Sequence, residues 1–396
     1  MQANEIDSFT KEKLIEGQDI LIYGAGRYGK LAYWGLRSLD LPVTYFIDEY
    51  HVGEVILGVP VIAPSEIEKH KDDVILLASY NYYADMYYRA KYFGAKKIFN
   101  ILTLLKLDYD VSVLSEYLLD EKNNYTKYKN VVEHMLDDKL VINHCEIVVT
   151  ECCSLRCKDC ANLMQYYSKP EHIDADEIIN FFDNFLDTID CLLDLRLLGG
   201  EPFVYPDLKR ILDKYSNDDR IKRITIYTNS TILPAASLIK SLQNKKVVVH
   251  MSNYGKISRN VQKLDDTFNE YGIEHYIHSY VKWKDIGKVY KRNYNVSTLT
   301  TLYQTCSMGK CYSFYRGKLY LCPRAAHGER LHFFENLSSE VVDFSTLFDK
   351  SAKRNELISL IQGTKFISAC DYCNGSGKMA DEIEAAVQVS ERRNEK

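Results

Sequence analysis

Three cysteines in one short loop are the residues of this chain best suited to chemistry. Cys153, Cys157 and Cys160 follow one another with the spacing C-x3-C-x2-C. A loop this short can direct three sulfur atoms at one iron–sulfur cube, and it leaves the fourth iron without a protein ligand. Clusters that only carry electrons mostly have four cysteine ligands. Three cysteines therefore leave one iron open to an outside molecule, as an open position on a catalytic zinc admits a substrate.

A strand must position this loop. Residues 145–150 (CEIVVT) form an apolar run that predicts a short buried strand. The loop would then leave the carboxyl end of a parallel strand, where α/β barrels carry their functional residues. From residue 143 onward, strand and helix patterns alternate, which predicts a parallel sheet with crossover helices. The predicted strands are 145–150, 192–198, 222–227, 246–251 and 274–281, and the helices between them begin near Asp174, Pro206, Pro234 and Arg259.

The second predicted strand ends in Gly199, Gly200, Glu201 and Pro202. Two glycines at a strand end let the backbone approach a ligand closely, and a carboxylate beside them can accept hydrogen bonds from an ammonium group. The alternative is an ordinary turn with Glu201 at the surface. The position of the motif, about forty residues after the three-cysteine loop and at the end of the next strand, favours a ligand site.

The third and fourth predicted strands also end in short polar residues. Thr228 and Asn229 can hydrogen-bond to ribose or carboxylate oxygens, although Asn229 and Ser230 could instead cap the following helix. Ser252 is the candidate ligand contact at the end of the fourth strand. His250 is interpreted as an ordinary barrel residue rather than a catalytic base.

The cysteine spacing after a first strand, together with the G-G-E-P motif at Gly199–Pro202, resembles the radical S-adenosylmethionine (SAM) superfamily. The resemblance implies a partial (β/α)6 barrel over residues 143–285. It also implies a [4Fe–4S] cluster on Cys153, Cys157 and Cys160, with its open iron chelated by the amino and carboxylate groups of SAM. The G-G-E-P motif would hold the SAM amino group, and Thr228, Asn229 and Ser252 would contact SAM as well.

Two positions near the loop differ from the simplest match to this family. Family members often carry an aromatic residue just before the third cysteine, where it packs on adenine, whereas this chain has Asp159. Cys152 offers a second register, C-x4-C, but only Cys153 completes the family spacing. Adenine recognition must therefore come from other residues than Asp159, while the cluster ligands are unaffected.

Five cysteines in the last third form a second metal-type group: Cys306, Cys311, Cys322, Cys370 and Cys373. With Gly317 they fit the pattern C-x9–15-G-x4-C followed by C-x-x-C, which resembles the short SPASM/twitch extension that binds one auxiliary [4Fe–4S] cluster. That extension and the tail would occupy residues 286–396. The fourth ligand is Cys306, which the motif favours, or Cys311. A structural zinc site with four cysteines is the alternative.

A glycine motif stands near the start of the chain. Gly24, Gly26 and Gly29 form G-x-G-x-x-G between a predicted strand (19–23) and a helix, and Asp48 follows a second strand (43–47). This context is typical of dinucleotide-binding folds. Residues 1–105 are therefore predicted to be a Rossmann-like domain that binds a nucleotide, with a purely structural turn as the equal alternative. Its other predicted elements are a leading helix over 1–16, strands over 58–62, 73–78 and 97–99, and a helix over 82–93.

Residues 106–142 are predicted to connect the domains through one or two helices interrupted near 122–124, and residues 378–396 to be an exposed helix or disordered. The fold class is therefore α/β: a Rossmann-like parallel sheet, a partial barrel and a small cysteine-rich extension.

Composition limits the class of protein. The chain has 396 residues, 46% of them hydrophobic and 27% charged, as in ordinary globular proteins. A formal net charge of −5 without a long basic run argues against nucleic acid or an anionic membrane as the main partner. No apolar leader and no stretch near ~20 apolar residues is found. Eleven cysteines without an export signal indicate metal binding in a reducing cytoplasm.

The resemblance implies a radical enzyme. The reduced cluster, supplied with electrons by a flavodoxin or ferredoxin, would cleave SAM to a 5′-deoxyadenosyl radical that abstracts hydrogen from the substrate. Oxidation (dehydrogenation) of a sugar-like or nucleotide-linked small molecule is the first hypothesis. A ribosomal-peptide maturase is the second, and a non-catalytic metal-binding scaffold the third. A nicotinamide-dependent dehydrogenase would leave the cysteines unexplained.

Overall fold

The computed structural model describes residues 18–80, 82–123, 125–134, 139–377 and 380–389. The helix expected over residues 1–16 lies outside the described residues. Contacts divide the chain into two units. The first comprises Met1–Asn143 and Ile361–Gly363, and the second comprises His144–Leu360 and Thr364–Lys396. The boundaries expected at residues 105 and 285 remain predictions.

The first unit alternates strands with helices. Its strands are β1 (Ile20–Tyr23), β2 (Tyr45–Ile47), β3 (Val55–Ile56), β4 (Val59–Ile62), β5 (Val74–Leu77) and β6 (Lys97–Asn100), and its helices are α1 (Arg27–Arg37), α2 (Tyr83–Tyr92), α3 (Leu102–Lys106), α4 (Glu116–Asn123) and α5 (Thr126–His134). The sheet order is β3-β4-β2-β1-β5-β6, with all pairs parallel except β3–β4. The order reverses between β1 and β5, as in nucleotide-binding folds.

The local sequence explains this sheet. All four residues of β1 and of β5 are buried, as expected for parallel strands covered on both faces. The predicted break between the two connector helices is present, because α4 ends at Asn123 and α5 begins at Thr126. Tyr128 of α5 is fully buried, donates its hydroxyl proton to the Leu77 carbonyl and accepts a bond of 2.9 Å from the Ile101 amide.

The second unit carries the cysteines. Its strands are β7 (Val141–Thr150, which begins at the unit boundary), β8 (Cys191–Gly199), β9 (Ile224–Thr228), β10 (Val247–Asn253), β11 (His275–Ser279), β12 (Lys282–Lys284), β13 (Ser313–Tyr315), β14 (Lys318–Tyr320), β15 (Val341–Asp343) and β16 (Glu382–Glu384). Its helices are α6 (Ala175–Thr188), α7 (Leu208–Ser216), α8 (Ile239–Leu242), α9 (Val261–Tyr271), α10 (Val296–Thr305), α11 (Pro323–Arg330) and α12 (Lys350–Gly363).

The main sheet has the order β11-β10-β9-β8-β7-β13-β14-β15. Strands β8 to β11 are parallel to one another, and β13 joins the other side of β7 in parallel, with Ser313 opposite Glu146. The hairpin β13–β14 and strand β15 then continue the sheet in antiparallel fashion. The predicted α/β class and the five predicted strands are confirmed. Because successive strands run the same way, their carboxyl ends gather the polar motifs at one edge.

The prediction for the tail was wrong over residues 380–389. Strand β16 pairs antiparallel with β12, with Ile383 opposite Trp283. Residues 387–389 then bond to the backbone of the cysteine loop. This pairing is invisible in a local pattern because both partners lie far away in the sequence. Residues 378–379 and 390–396 lie outside the described residues. Among the helices that the structure describes, none is long and apolar enough to cross a membrane.

Candidate functional site

The three-cysteine loop follows β7, and amide donors surround its sulfur atoms. The Leu155 amide lies 3.4 Å from the Cys153 sulfur, and the Asn229 side-chain amide lies 3.6 Å from it. Burial raises the pKa of the Cys160 thiol, while backbone hydrogen bonds from the three residues Asn162, Leu163 and Met164 lower it.

Burial also raises the pKa of Cys157, to about 12, and the nearby Cys160 sulfur adds to the shift. Without a metal these thiols stay protonated at neutral pH. Three converging sulfurs with amide donors suit an anionic iron–sulfur cluster, which stabilises them as thiolates.

A buried carboxylate anchors the start of the loop. Glu151 has no exposed surface, and its side chain accepts hydrogen bonds from the Arg330 guanidinium at 3.0 Å and the Glu171 amide at 2.9 Å. The Tyr315 hydroxyl donates to the same carboxylate. A buried charge with this many donors is held in one place, so the first residue of the loop is fixed against β13 and α11.

Two glycines let β8 approach the loop backbone. A Cβ at Gly199 would lie 2.2 Å from the Thr150 carbonyl oxygen, and one at Gly200 would lie 2.0 Å from the Cys152 carbonyl oxygen. Without these Cβ atoms, the two backbones can approach and bond. The Gly200 amide donates to the Thr150 carbonyl at 2.8 Å, and the Glu201 amide donates to the Cys152 carbonyl at 2.9 Å. Gly199 also has a φ of +142°, a conformation that other residues rarely adopt. The glycines therefore hold strand and loop together at main-chain distance.

Glu201 does not occupy the position that the sequence suggested. Its carboxylate has no exposed surface and accepts bonds from the Thr228 hydroxyl (2.8 Å), the Asn229 amide (2.8 Å) and the Phe203 amide (3.1 Å). Burial raises its pKa to about 7, against the lowering effect of these bonds. Glu201 thus fixes the end of β9 rather than presenting its carboxylate to the cavity, and Pro202 is buried behind it.

Asn229 connects the end of β9 to the loop. Its side-chain amide donates to the Ser154 hydroxyl at 3.1 Å as well as approaching Cys153, and its oxygen accepts from the Thr231 amide at 3.0 Å. This bond closes a local turn and does not cap a helix, because the next helical turn begins only at Ala236. Ser252 lies at the end of β10 and faces the same cavity as Thr228 and Asn229.

These strand ends and the loop surround one open cavity of about 430 Å³. The cavity lining includes the predicted residues Cys153, Cys157, Cys160, Gly199, Gly200, Thr228, Asn229 and Ser252. Glu201 and Pro202 are the two predicted residues of this group that do not line it. Asp159, which stands where the family often has an aromatic residue, does line the cavity. This volume is within the range of small-molecule sites.

Sequence reasoning missed three aromatic residues in the lining: Tyr227, Tyr254 and Trp283. Tyr254 and Trp283 meet edge to face, with ring centroids 5.5 Å apart. Tyr254 stands two positions after Ser252, so its place at a strand end was a usable signal. Trp283 carried no such signal, because β12 reaches the cavity only through its pairing with β16. Both offer an aromatic surface of the kind that Asp159 cannot provide.

Four of the five C-terminal cysteines influence one another electrostatically. Burial raises the pKa of Cys322, and the charges of Cys306 and Cys373 raise it further. Burial also raises the pKa of Cys370, and the charges of Cys322, Cys373 and Cys306 raise it further. Burial and the charge of Glu146 raise the pKa of the Cys311 thiol, and Arg196 lowers it. The charges of Cys322 and Cys306 raise it as well, so Cys311 is coupled to two of these four cysteines.

The group around Cys306 lies next to the cavity. Its sulfur is 3.2 Å from the Ser376 hydroxyl, and Ser376, Ser307 and Met308 all line the cavity. The Gly375 amide donates to the Cys373 sulfur at 3.2 Å. Residues beside both cysteine groups therefore line the same space. The choice between Cys306 and Cys311 as the fourth ligand remains a prediction.

A buried arginine stands between the two groups. Arg324 is only 2% exposed and donates to the carbonyl oxygens of Gly287 (2.7 Å) and Tyr372 (3.1 Å). Its charge lowers the pKa of Cys373 against the raising effect of burial. A small cavity beside it is also lined by Cys160. A guanidinium buried among carbonyls requires nearby negative charge, which thiolates bound to a cluster supply.

The face of the strands that continues below the cavity is polar. Asp194 accepts bonds from Thr225 (2.6 Å), Arg196 (3.0 Å) and Arg223 (3.1 Å). Farther along the sheet, the His250 and His278 rings stack with ring nitrogens 2.9 Å apart. Burial and His278 lower the pKa of His250 to about 4, so it is neutral at pH 7.

The glycine motif of the first unit forms a tight turn. A Cβ at Gly29 would lie 1.9 Å from the Gly24 carbonyl oxygen, and Gly24 has a φ of +106°. Gly26 has open space around its Cβ position. Asp48 is buried, and its carboxylate accepts from the amides of Ala25 (2.8 Å) and Tyr50 (2.7 Å). Asp48 thus ties the glycine turn to the end of β2, and nucleotide binding remains a prediction.

Comparison with known proteins gives the class of this chain. The family model of the radical SAM superfamily matches residues 147–302, which include the three-cysteine loop and strands β8 to β11. The match covers less than half of the chain, and it identifies these residues as a radical SAM domain. Such a domain implies a [4Fe–4S] cluster and SAM. Cys153, Cys157 and Cys160 would hold the cluster, and the lining described above would hold SAM.

Individual relatives are distant. A GTP 3′,8-cyclase of Alkaliphilus oremlandii (strain OhILAs) is 29% identical over 138 residues, 33% of this chain and 43% of the relative. The chain thus spans less than half the length of that curated relative.

Among solved structures, SuiB of Streptococcus suis is 22% identical with a TM-score of 0.30, over 45% of this chain and 41% of SuiB. BtrN in complex with AdoMet and 2-DOIA is 13% identical with a TM-score of 0.35, over 64% of this chain and 97% of BtrN. Native anSMEcpe with bound AdoMet and Cp18Cys peptide is 18% identical with a TM-score of 0.37, over 60% and 89%. Likenesses at this level do not identify a substrate.

Proposed function

We propose that this radical SAM enzyme oxidises an alcohol group of a sugar-like small molecule to a carbonyl. One observation carries the proposal: the cavity at the three-cysteine loop is also lined by Ser307 and Met308, which adjoin Cys306 of the second cysteine group. A substrate held there lies between a radical source and an electron acceptor. We assign one auxiliary [4Fe–4S] cluster to Cys306, Cys322, Cys370 and Cys373, in place of a structural zinc.

The proposed oxidation removes one hydrogen atom, one proton and one electron from the substrate. The bound cofactors supply a 5′-deoxyadenosyl radical, which takes one hydrogen atom from the carbinol carbon. The remaining group loses its hydroxyl proton to a base and one electron to the auxiliary cluster, giving the carbonyl. A flavodoxin or ferredoxin provides the electron that starts each turnover. The protein contributes position, exclusion of water and the proton acceptor.

Polar side chains in the cavity lining support a hydroxyl-rich substrate. Asp159, Thr228, Asn229 and Ser252 can bond to the hydroxyl groups of such a molecule. Tyr227 lines the cavity and contacts the His250 ring at 5.1 Å. His250 was interpreted from the sequence as an ordinary barrel residue, but its neutral ring beside Tyr227 now makes it our candidate for the proton acceptor.

For the first unit by itself, we propose that the glycine turn binds a nucleotide. Support comes from the strand order and from Gly26, whose open surroundings leave room for a phosphate beside the start of α1. Gly24 and Gly29 are explained by the turn alone.

A peptide maturase is the second candidate. Strand β11 ends the described sheet, and Tyr276 and Ile277 on it are about half exposed. An extended peptide could pair with such an edge. The polar residues at the ends of β9 and β10 favour the small molecule.

The first test is anaerobic reconstitution with dithionite and SAM, comparing wild type with a Cys153/Cys157/Cys160→Ala variant. We expect about eight irons and 5′-deoxyadenosine in wild type, and about four irons without product in the variant. Zinc in place of iron, or clusters that never cleave SAM, would favour a non-catalytic scaffold.

The second test separates the two substrate classes. Formation of 5′-deoxyadenosine is compared in the presence of nucleoside-diphosphate sugars, free sugars and linear peptides. Stimulation by a sugar, with a product that has lost two hydrogens, supports the proposal. Stimulation by peptides alone would contradict the sugar proposal and favour a peptide maturase.

A further inference from the structure

A strand segment at residues 386–389, here called the strap, covers the three-cysteine loop. Cys157 and Gln388 form an antiparallel bridge. The Lys158 amide donates to the Val387 carbonyl at 2.7 Å, and the Val389 amide donates to the Arg156 carbonyl at 2.8 Å. These backbone bonds bracket Cys157 on both sides, so the strap holds the middle ligand of the loop in an extended conformation.

The side chain of Gln388 adds a contact with the ligand atom itself. Its amide nitrogen lies 3.2 Å from the Cys157 sulfur and 2.6 Å from the Ala386 carbonyl oxygen. Its amide oxygen accepts from the Arg156 amide at 2.7 Å. Because the oxygen meets an N–H and the nitrogen meets a carbonyl, the orientation of the amide follows from its partners. An N–H group therefore points at the sulfur.

We propose that Gln388 is a positioning residue that sets the reduction potential of the SAM-binding cluster through its N–H···S hydrogen bond to Cys157. Hydrogen bonds to ligand sulfurs stabilise the more negative, reduced state of a cluster and so raise its potential. The backbone bridge already fixes the loop, so the amide contributes a donor that strand pairing does not require. The inference rests on the cluster at the three cysteines and is independent of the substrate.

The contact is selective for one ligand. The donors to Cys153 are the Leu155 amide and Asn229, and those to Cys160 are backbone amides of its own loop. Cys157 instead receives its side-chain donor from a residue 231 positions away. Loss of the strap would therefore remove a donor from Cys157 and leave the donors of the other two sulfurs in place.

The test is a potentiometric titration of reconstituted full-length protein, followed by electron paramagnetic resonance. The SAM-binding cluster is recognised by the change of its signal when SAM is added. Gln388→Leu removes the donor, and Gln388→Glu keeps an acceptor for Arg156 but replaces the donor with a negative charge. Val387→Thr is the control, because it alters a half-exposed strap side chain and leaves the backbone bonds intact.

We expect wild-type iron content in all three variants. The potential of the SAM-binding cluster should move to more negative values in Gln388→Leu and further in Gln388→Glu, and stay unchanged in Val387→Thr. The auxiliary cluster should keep its potential throughout. Wild-type potentials in both Gln388 variants overturn the proposal. So does loss of iron from both with retention in Val387→Thr, because that result makes the role structural.

Discussion

Replacing Gly200 by alanine is the sharpest steric test of how β8 holds the cysteine loop. The added Cβ would lie 2.0 Å from the Cys152 carbonyl oxygen and 2.4 Å from its carbon, whereas ordinary contacts begin near 3.4 Å. Strand and loop must therefore separate by more than 1 Å. The backbone at this position has no positive φ, so the effect of the substitution is purely steric.

The expected loss of stability has two sources, a steric cost and a lost hydrogen bond. Overpacking of a tight site costs about 1–3 kcal/mol, and the 2.9 Å bond from the Glu201 amide to Cys152 contributes about 0.5–1.5 kcal/mol. We expect Gly200→Ala to lower the free energy of unfolding by about 2–4 kcal/mol. It should also lower the iron bound at the three-cysteine loop, because Cys153 adjoins the displaced carbonyl.

Chemical denaturation and iron analysis measure the two effects. Gly363→Ala is the matched control, since its Cβ would meet nothing within 4 Å and the residue is helical. The control should keep its iron and be unchanged or more stable by up to about 1 kcal/mol. Gly200→Ala with the stability and iron content of the control would refute the steric reasoning.

Four further substitutions test other parts of the chain. Cys306→Ser should remove about four irons and Cys311→Ser none, by iron analysis; the reverse would exchange the ligand assignment. Burial raises the pKa of Glu146 from 4.5 to about 7, so the folded state binds this proton more tightly and stability falls as pH rises between those values. Glu146→Gln should flatten that fall in denaturation midpoints. Asp48→Ala should destabilise the first unit by about 2–4 kcal/mol through two unpaired amides, without any nucleotide present.

Much of the candidate site could be predicted from the local sequence. The spacing of Cys153, Cys157 and Cys160 placed them on one loop, and Gly199 and Gly200 were identified because strand ends in a parallel sheet share an edge. Strand and helix positions followed from apolar runs, with ends shifted by one to four residues, as for β7, which begins at Val141 rather than residue 145.

Contacts between residues that are far apart in the sequence could not be predicted in this way. The partners of Glu201 lie on the next strand, so a carboxylate that looks available for a ligand is in fact engaged by Thr228 and Asn229. Trp283 enters the cavity only because β12 pairs with β16, and the tail looked unstructured because its partners are distant.

The strap also has a consequence for assembly. Cys157 and Gln388 are separated by 231 positions, so their pairing closes a very long loop. Closing such a long loop costs chain entropy before its contacts form, so we expect the strap to pair with the cysteine loop late in folding. Until that pairing forms, the Cys157 sulfur lacks the Gln388 donor, so we expect cluster insertion to precede closure of the strap.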